Sequence, residues 1–357
     1  MRKILALTVA ALCYFSTYSQ EAEASGNIPT LIISPRIEVN PHIALGEGGF
    51  LGSDFGATSL YTFFDGSIGE HFSYSMSNHW LSTDPRSLYA DPFRSDESDF
   101  IDWLTLSYSV GGFTFTLGKE SILFGNYELD ATDIDQHAEV CSSFWNKCMT
   151  YQWGGKVDYT FADESSNLAF HFASSPFGER PFASKLFAYS LMWSGEYGCF
   201  APLWSVNLVE YERGVFVKTL GLGNGFYFDN LAVEADLMYR HLKYEGDNHE
   251  LLAVCKVGYT FNDKVELFAK GGYEYFTGMD IFGWEDDFGF LPTDMSERGY
   301  AFYGAGVNYY PLRNSQALRL HAVVSSNNYS RSLAMSFGAT YHFDLTNTIC
   351  KRKKYDQ

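Results

Sequence analysis

Runs of about ten residues along this chain alternate apolar with polar side chains, and many of them end in aromatics. Lys264–Phe276 shows the pattern most clearly. Val265, Leu267, Ala269, Tyr273 and Tyr275 share one parity; Lys264, Glu266, Lys270 and Glu274 share the other. A strand sends alternate side chains to opposite faces, so period two gives one apolar and one charged face. Tyr151–Phe161 repeats it, with Trp153, Val157, Tyr159 and Phe161 against Gln152, Lys156, Asp158 and Thr160. So does Leu231–Leu242, with Leu231, Val233, Ala235, Leu237 and Tyr239 against Glu234, Asp236 and Arg240. Such strands suit a wall between lipid and water, the signature of an outer-membrane β-barrel. A soluble sandwich also alternates, but it would not set rows of aromatics at its strand ends.

The pattern predicts sixteen strands, from Leu31–Ile43 through Tyr151–Phe161 to Ser332–Phe343. An even number returns both termini to the periplasmic side. Connections alternate in length. Gly66, Gly111, Asn262-Asp263 and Arg313–Ser315 mark short turns. Leu81–Asp99, Ser121–Thr150, Pro176–Lys185, Tyr244–His249 and Thr277–Gly299 are longer. Glu212–Gly214 breaks the alternation: either that hairpin is short, or the count slips there. The fold expected is all-β, a transmembrane antiparallel barrel of about sixteen strands with its long third loop folded into the lumen. On this reading Arg at Leu237 meets lipid, and Arg at Asp236 meets water and is much milder.

The ends divide the chain. Residues 1–19 read as a signal peptide: Arg2 and Lys3, then apolar Ile4–Phe15, then small Thr17 and Ser19 before Gln20. Residues 20–343 form the barrel, and 344–357 a short periplasmic tail carrying Lys351–Lys354. No later run approaches the twenty or so apolar residues a spanning helix needs. With 25 Lys+Arg against 43 Asp+Glu, the net charge is −18, which argues against nucleic acid as a partner. Aromatics at 18% and 32 Gly suit interface girdles and tight turns. The expected surroundings are outer-membrane lipid and lipopolysaccharide, in the outer membrane of a bacterial cell.

Around the third loop the chain resembles a known family. Gly118-Lys119, Gly125, Glu128 and Asp130 resemble the central motif of the phosphate-selective porin O/P family. Phe144-Trp145, Tyr151-Gln152-Trp153-Gly154 and Ser174-Ser175-Pro176-Phe177 are similar to its Bacteroidota members. The resemblance covers roughly residues 100–198. It implies a sixteen-stranded porin passing small hydrophilic solutes, with a homotrimer among its assemblies. Family members with anion selectivity carry a ladder of Arg and Lys along the pore. Here the residues expected to line the lumen are mixed: Lys156, Asp158, Glu234, Asp236, Arg240, Lys256, Glu266, Lys270, Glu274 and Arg319. Phosphate specificity therefore does not carry over.

Sixteen strands enclose more space than wall side chains can fill. Ser121–Thr150, the longest connection, is the candidate to narrow it. Lys119, Glu128, Asp130, Asp133, Asp135 and Glu139 are the expected constriction, and a carboxylate ring favours cations. An acidic, solvated surface loop is the competing reading. Thr277–Gly299, also acidic, reads as a cap at the mouth. Cys141 and Cys148 could pair in an oxidising compartment or remain separate thiols. No Cys/His spacing calls for a metal, no motif calls for a cofactor, and neither a nucleophile elbow nor a His-Glu metal motif is present. A barrel hydrolase, or a non-conducting adhesion or structural barrel, is the alternative to a channel.

Overall fold

The computed structural model describes residues 29–45, 49–55, 58–82, 100–148, 150–178, 180–278, 281, 299–313, 315–330 and 332–346. The expected signal peptide and the last residues of the tail lie outside that set. So do residues 83–99 and nearly all of the acidic 278–299 connection.

Eighteen strand segments follow in chain order. They are β1 Thr30–Ala44, β2 Phe50–Asp54, β3 Ser59–Ile68, β4 Phe72–Ser82, β5 Ile101–Val110 and β6 Phe113–Ser121. Next come β7 Tyr151–Thr160, β8 Ser166–Ser174, β9 Phe187–Gly195, β10 Phe200–Glu212, β11 Val215–Phe228 and β12 Leu231–Lys243. The last six are β13 Asp247–Phe261, β14 Val265–Thr277, β15 Tyr300–Tyr309, β16 Leu318–Asn327, β17 Ser332–Tyr341 and β18 Phe343–Asp344.

The eighteen segments make sixteen staves. The first half of β1 pairs with β3, from Thr30↔Asp65 to Arg36↔Ser59, and its second half with β2, from Asn40↔Asp54 onward. β2 and β3 are thus one stave interrupted near Phe55. β18 likewise continues β17 past His342 and pairs Phe343 with Ile33. Every neighbouring pair is antiparallel, and β1 against β17 closes the ring, with Arg36 opposite Thr340 and His42 opposite Ala334. Closure removes the free edge that hydrocarbon could not tolerate.

Turn chemistry sets the register at the short end. Asn262 and Asp263 both take positive φ, 51° and 55°, the two left-handed residues that a two-residue hairpin demands. Gly111 does the same at φ 57° between β5 and β6. Gly66, expected in a turn, lies inside β3; the reversal falls at Gly69–His71. Glu212–Gly214 is a genuinely short hairpin, since β10 and β11 stay paired up to Glu212↔Val215. The barrel also runs slightly past Phe343: the Leu345 amide donates to Leu31 O at 2.9 Å, and Thr346 Oγ1 accepts from the Leu31 amide at 2.8 Å.

The two faces separate cleanly. Along β12, Leu237 and Tyr239 are 44% and 41% exposed on the outside, whereas Asp236, Met238, Arg240 and Leu242 are buried within. Arg at Leu237 should cost about 2–4 kcal/mol if the site lies near the bilayer midplane. Denaturant unfolding in vesicles measures it; a loss under half a kcal/mol would contradict the outward assignment.

Candidate functional site

The segment between β6 and β7 folds inward and lies along the wall from β10 to β17 and β1. Its local structure is legible. Asn126 caps the helical turn Tyr127–Asp130 by accepting from the Leu129 amide at 3.2 Å. Ser142 caps Ser143–Lys147 by accepting from the Trp145 amide at 3.0 Å. Side-chain oxygens at these positions satisfy amides that a helix start leaves open.

Entry into the lumen depends on glycine. Gly125 has φ 60°, and a Cβ there would stand 2.6 Å from the Ser205 amide nitrogen. Across from it, a Cβ on Gly221 would overlap the carbonyl oxygen of Phe124. The two backbones touch, and the Gly223 amide donates to Gly125 O at 2.9 Å.

Apolar burial then holds the loop. Ile122, Phe124, Val140 and Phe144 pack on inward-facing Val209, Val217, Met238, Leu242 and Leu252. Each buried Phe or Ile contributes about 1.5–3 kcal/mol. The Arg240 guanidinium lies 4.0 Å over the Phe144 ring and 2.8 Å from Glu250.

Polar latches fix the remainder. Asp236 accepts from the amides of Tyr127 at 2.8 Å and Glu128 at 3.0 Å. Lys270 Nζ meets Glu128 at 2.7 Å, and Arg319 meets Asp135 at 2.7 Å. Glu274 accepts from the Ser143 hydroxyl at 2.6 Å. Arg36 Nη1 donates to the carbonyls of Ile134 at 2.9 Å and Gln136 at 2.6 Å, and its Nε donates to Glu38 at 2.9 Å. His321 Nε2 is 2.8 Å from the same Glu38. The His137 ring stacks on Phe268 at 5.3 Å and 7°. Burial, reinforced by Arg36, holds the His137 imidazole well below its ordinary pKa. Glu139 meets Asn40 and Ser336. Burial, with Glu38 nearby, pushes its carboxyl up to about 7.

The expected constriction residues therefore divide. Glu128, Asp135 and Glu139 touch the wall. Asp130 is exposed, within electrostatic reach of Glu234 and Lys156. The Asp133 side chain lies outside the described set. Lys119 does not join them: its register partners are Trp153 and Leu104, on the parity of outward Leu117, and its Nζ donates to Ile101 O at 2.6 Å. The expected lumen-lining residues all take the inward parity. Lys156 pairs with Glu120 at 2.7 Å, Lys256 with Glu234 at 3.5 Å, and Glu266 accepts from Asn308 at 3.0 Å. Asp158 is 3.8 Å from Lys156.

Of the two readings left open for Cys141 and Cys148, the structure has separate buried thiols and no bridge. Cys141 Sγ is 3.3 Å from Lys270 Nζ, and burial pushes its thiol up to about 12; Cys148 belongs to the apolar cluster. Asp236 is not an exchangeable water-facing acid, because it holds the loop. Sequence reasoning also passed over Arg36, Glu38, His137 and His321. The polar run Ser34, Arg36, Glu38, Asn40 along β1 carried that signal.

No family model matches the chain, and no curated protein matches it. Solved structures do. The outer-membrane channel DcaP of Acinetobacter baumannii is 12% identical with TM-score 0.55, covering 89% of this chain and 98% of that one. An anion-selective porin from Comamonas acidovorans is 12% identical with TM-score 0.55, covering 88% of this chain and 100% of that one. A trimer form of OmpT, an outer-membrane protein of Vibrio cholerae, is 11% identical with TM-score 0.56, covering 88% and 99%. At such identities the likeness is one of fold: a porin-type barrel. With its outward apolar belt, that fold places the chain in a bacterial outer membrane.

Gly221→Leu should unseat the loop from its glycine contact, and Lys270→Met should weaken docking by leaving Glu128 buried without its cation, at about 3–5 kcal/mol. Limited proteolysis of the folded barrel should then cut between residues 122 and 150 where the parent resists. Equal resistance in both variants would mean that these contacts do not hold the loop.

Proposed function

We propose that this chain is a porin, passing small hydrophilic solutes and ions between the latched loop and the wall formed by β4 to β9. The one-sided docking of the loop carries this reading. It occupies the β10–β17 side with apolar and ionic contacts. Across from it the inward residues are mostly small or polar, among them Ser77, Thr116, Lys156, Asp158 and Ser190, with Trp103 of β5 and Met192 of β9 as larger apolar members. Exposed Asp130 faces the Lys156 side, so carboxylate and ammonium flank the same passage. A field across a narrow, weakly screened bore orients and selects charged solutes.

Pairing also reduces the expected cation bias. Glu128 and Asp135 are neutralised by Lys270 and Arg319, and Glu139 is held by Asn40 and Ser336, which leaves Asp130, among the described side chains, as the constriction acid that acts on solutes. Kinship with the phosphate-selective porin O/P family is part of the proposal and rests on the residues around the loop. Gly125, Glu128 and Phe144 of that resemblance serve here as loop anchors. A trimeric assembly belongs to the proposal as well; one Vibrio cholerae OmpT structure has a trimer form.

The test is conductance of the purified chain in planar bilayers. Ohmic channels with a modest cation preference are expected. Asp130→Asn should lower that preference, most at low salt where screening is weakest. Removing residues 127–147 should raise conductance severalfold. A barrel that inserts and stays silent would overturn the porin reading in favour of an enzymatic or structural barrel.

A further inference from the structure

Two groups of His and carboxylate converge closely enough to share an ion among the described residues: Glu38 with His137 and His321, and Asp247 with His241 and His249. The first belongs to the loop latch, and the Arg36 guanidinium already shares the Glu38 carboxylate that a metal would need. The second serves neither loop nor passage.

His241 and His249 are register partners across β12 and β13, and Asp247 faces Lys243 two positions nearer the hairpin. They take the outward parity of Leu237 and Tyr239, at the end of the barrel that bears the long connections. His241 Nε2 is 2.6 Å from one Asp247 oxygen, and His249 Nε2 is 3.3 Å from the other. The imidazoles stack, with centroids 4.7 Å apart and planes at 17°. Two imidazoles and a carboxylate thus present their donor atoms at one point, and Asp247 is 66% exposed there.

We propose that His241, Asp247 and His249 form a site for a divalent transition-metal ion, zinc or its neighbours copper and nickel, on the outer rim of the barrel. Zinc bonds to imidazole nitrogen and carboxylate oxygen at about 2.0–2.2 Å, so tetrahedral ligand atoms stand roughly 3.3–3.5 Å apart. The His249–Asp247 separation already lies there, and His241 must open by under about 1 Å. The imidazoles set the preference, since magnesium and calcium take oxygen ligands.

The second shell agrees. The Tyr239 hydroxyl lies 2.6 Å from His249 Nδ1. A phenol oxygen can accept a proton-bearing Nδ1, which leaves the Nε2 lone pair free for a metal. Tyr239 is thus a positioning residue for His249. Water would complete the coordination from the exposed side.

Zinc titration by calorimetry of the folded full chain in detergent, with magnesium in large excess, tests the site. One zinc per chain is expected. His241→Ala and His249→Ala should each weaken binding at least tenfold, and Tyr239→Phe about tenfold. All three positions lie on the barrel surface, and retained heat-modifiable migration on a gel reports folding. No saturable zinc binding against magnesium would overturn the site. Zinc binding lost in His137→Ala but kept in His249→Ala would also overturn it, assigning the metal to the buried cluster. Unchanged affinity in Tyr239→Phe would remove Tyr239 from the site.

Discussion

Hydrocarbon offers no partner for a backbone amide or carbonyl, and everything else in this protein follows from that constraint. A sheet in lipid must close on itself. Here closure is the pairing of β1 with β17 and β18, extended by the Leu345–Leu31 and Thr346–Leu31 hydrogen bonds. Closing sixteen staves fixes a circumference, and the circumference fixes an interior too wide for wall side chains to fill. The chain answers with the 122–150 segment. That segment must be held against water, which competes for every polar contact it makes.

Apolar packing and ionic latches share that task differently. Ile122, Phe124 and Phe144 give the loop a non-directional hold on Val209, Met238 and Leu252. Alone they would let it slide. Lys270–Glu128, Arg319–Asp135 and the two amides on Asp236 fix its position along the wall. A buried ion pair adds little net stability over an apolar pair of equal volume, yet breaking it is costly. Such pairs define register better than they add strength. Gly125 and Gly221 set the depth, because any side chain there would hold the two backbones apart.

The wall was legible in the chain, and the loop contacts were not. Period two survives because each strand meets lipid on one side and the interior on the other; Leu237 and Asp236 could not exchange places. β2 is hard to read from sequence, because Phe50–Asp54 is short, its stave breaks near Phe55, and Gly52 interrupts its alternation. Inward Met238, Leu242 and Phe268 look like exceptions to a polar face until the loop is placed on them. Lys119 precedes the loop by two residues, yet its odd parity in β6 points it away from the lumen. Partners such as Arg36 and Ile134 are 98 residues apart, and alternation encodes facing, not which distant residue is faced.

The charge pattern follows the same division of labour. Acids and bases of the lumen look evenly mixed in sequence, which suggests a weakly selective bore. In space they sort by task. Those on the β10–β17 side and β1 are spent on the loop or on one another: Arg36 with Glu38, Arg240 with Glu250, Lys270 with Glu128, Arg319 with Asp135. Lys156, Glu120 and Asp158 form their own cluster on the opposite wall. A solute passing as proposed would meet a few positioned charges, and salt screens a buried pair far less than an exposed one. On the proposed channel reading, the loop that docks on the β10–β17 side also pairs Glu128 and Asp135 with wall cations, so the width of the bore and the charge left facing a solute follow from one docking event.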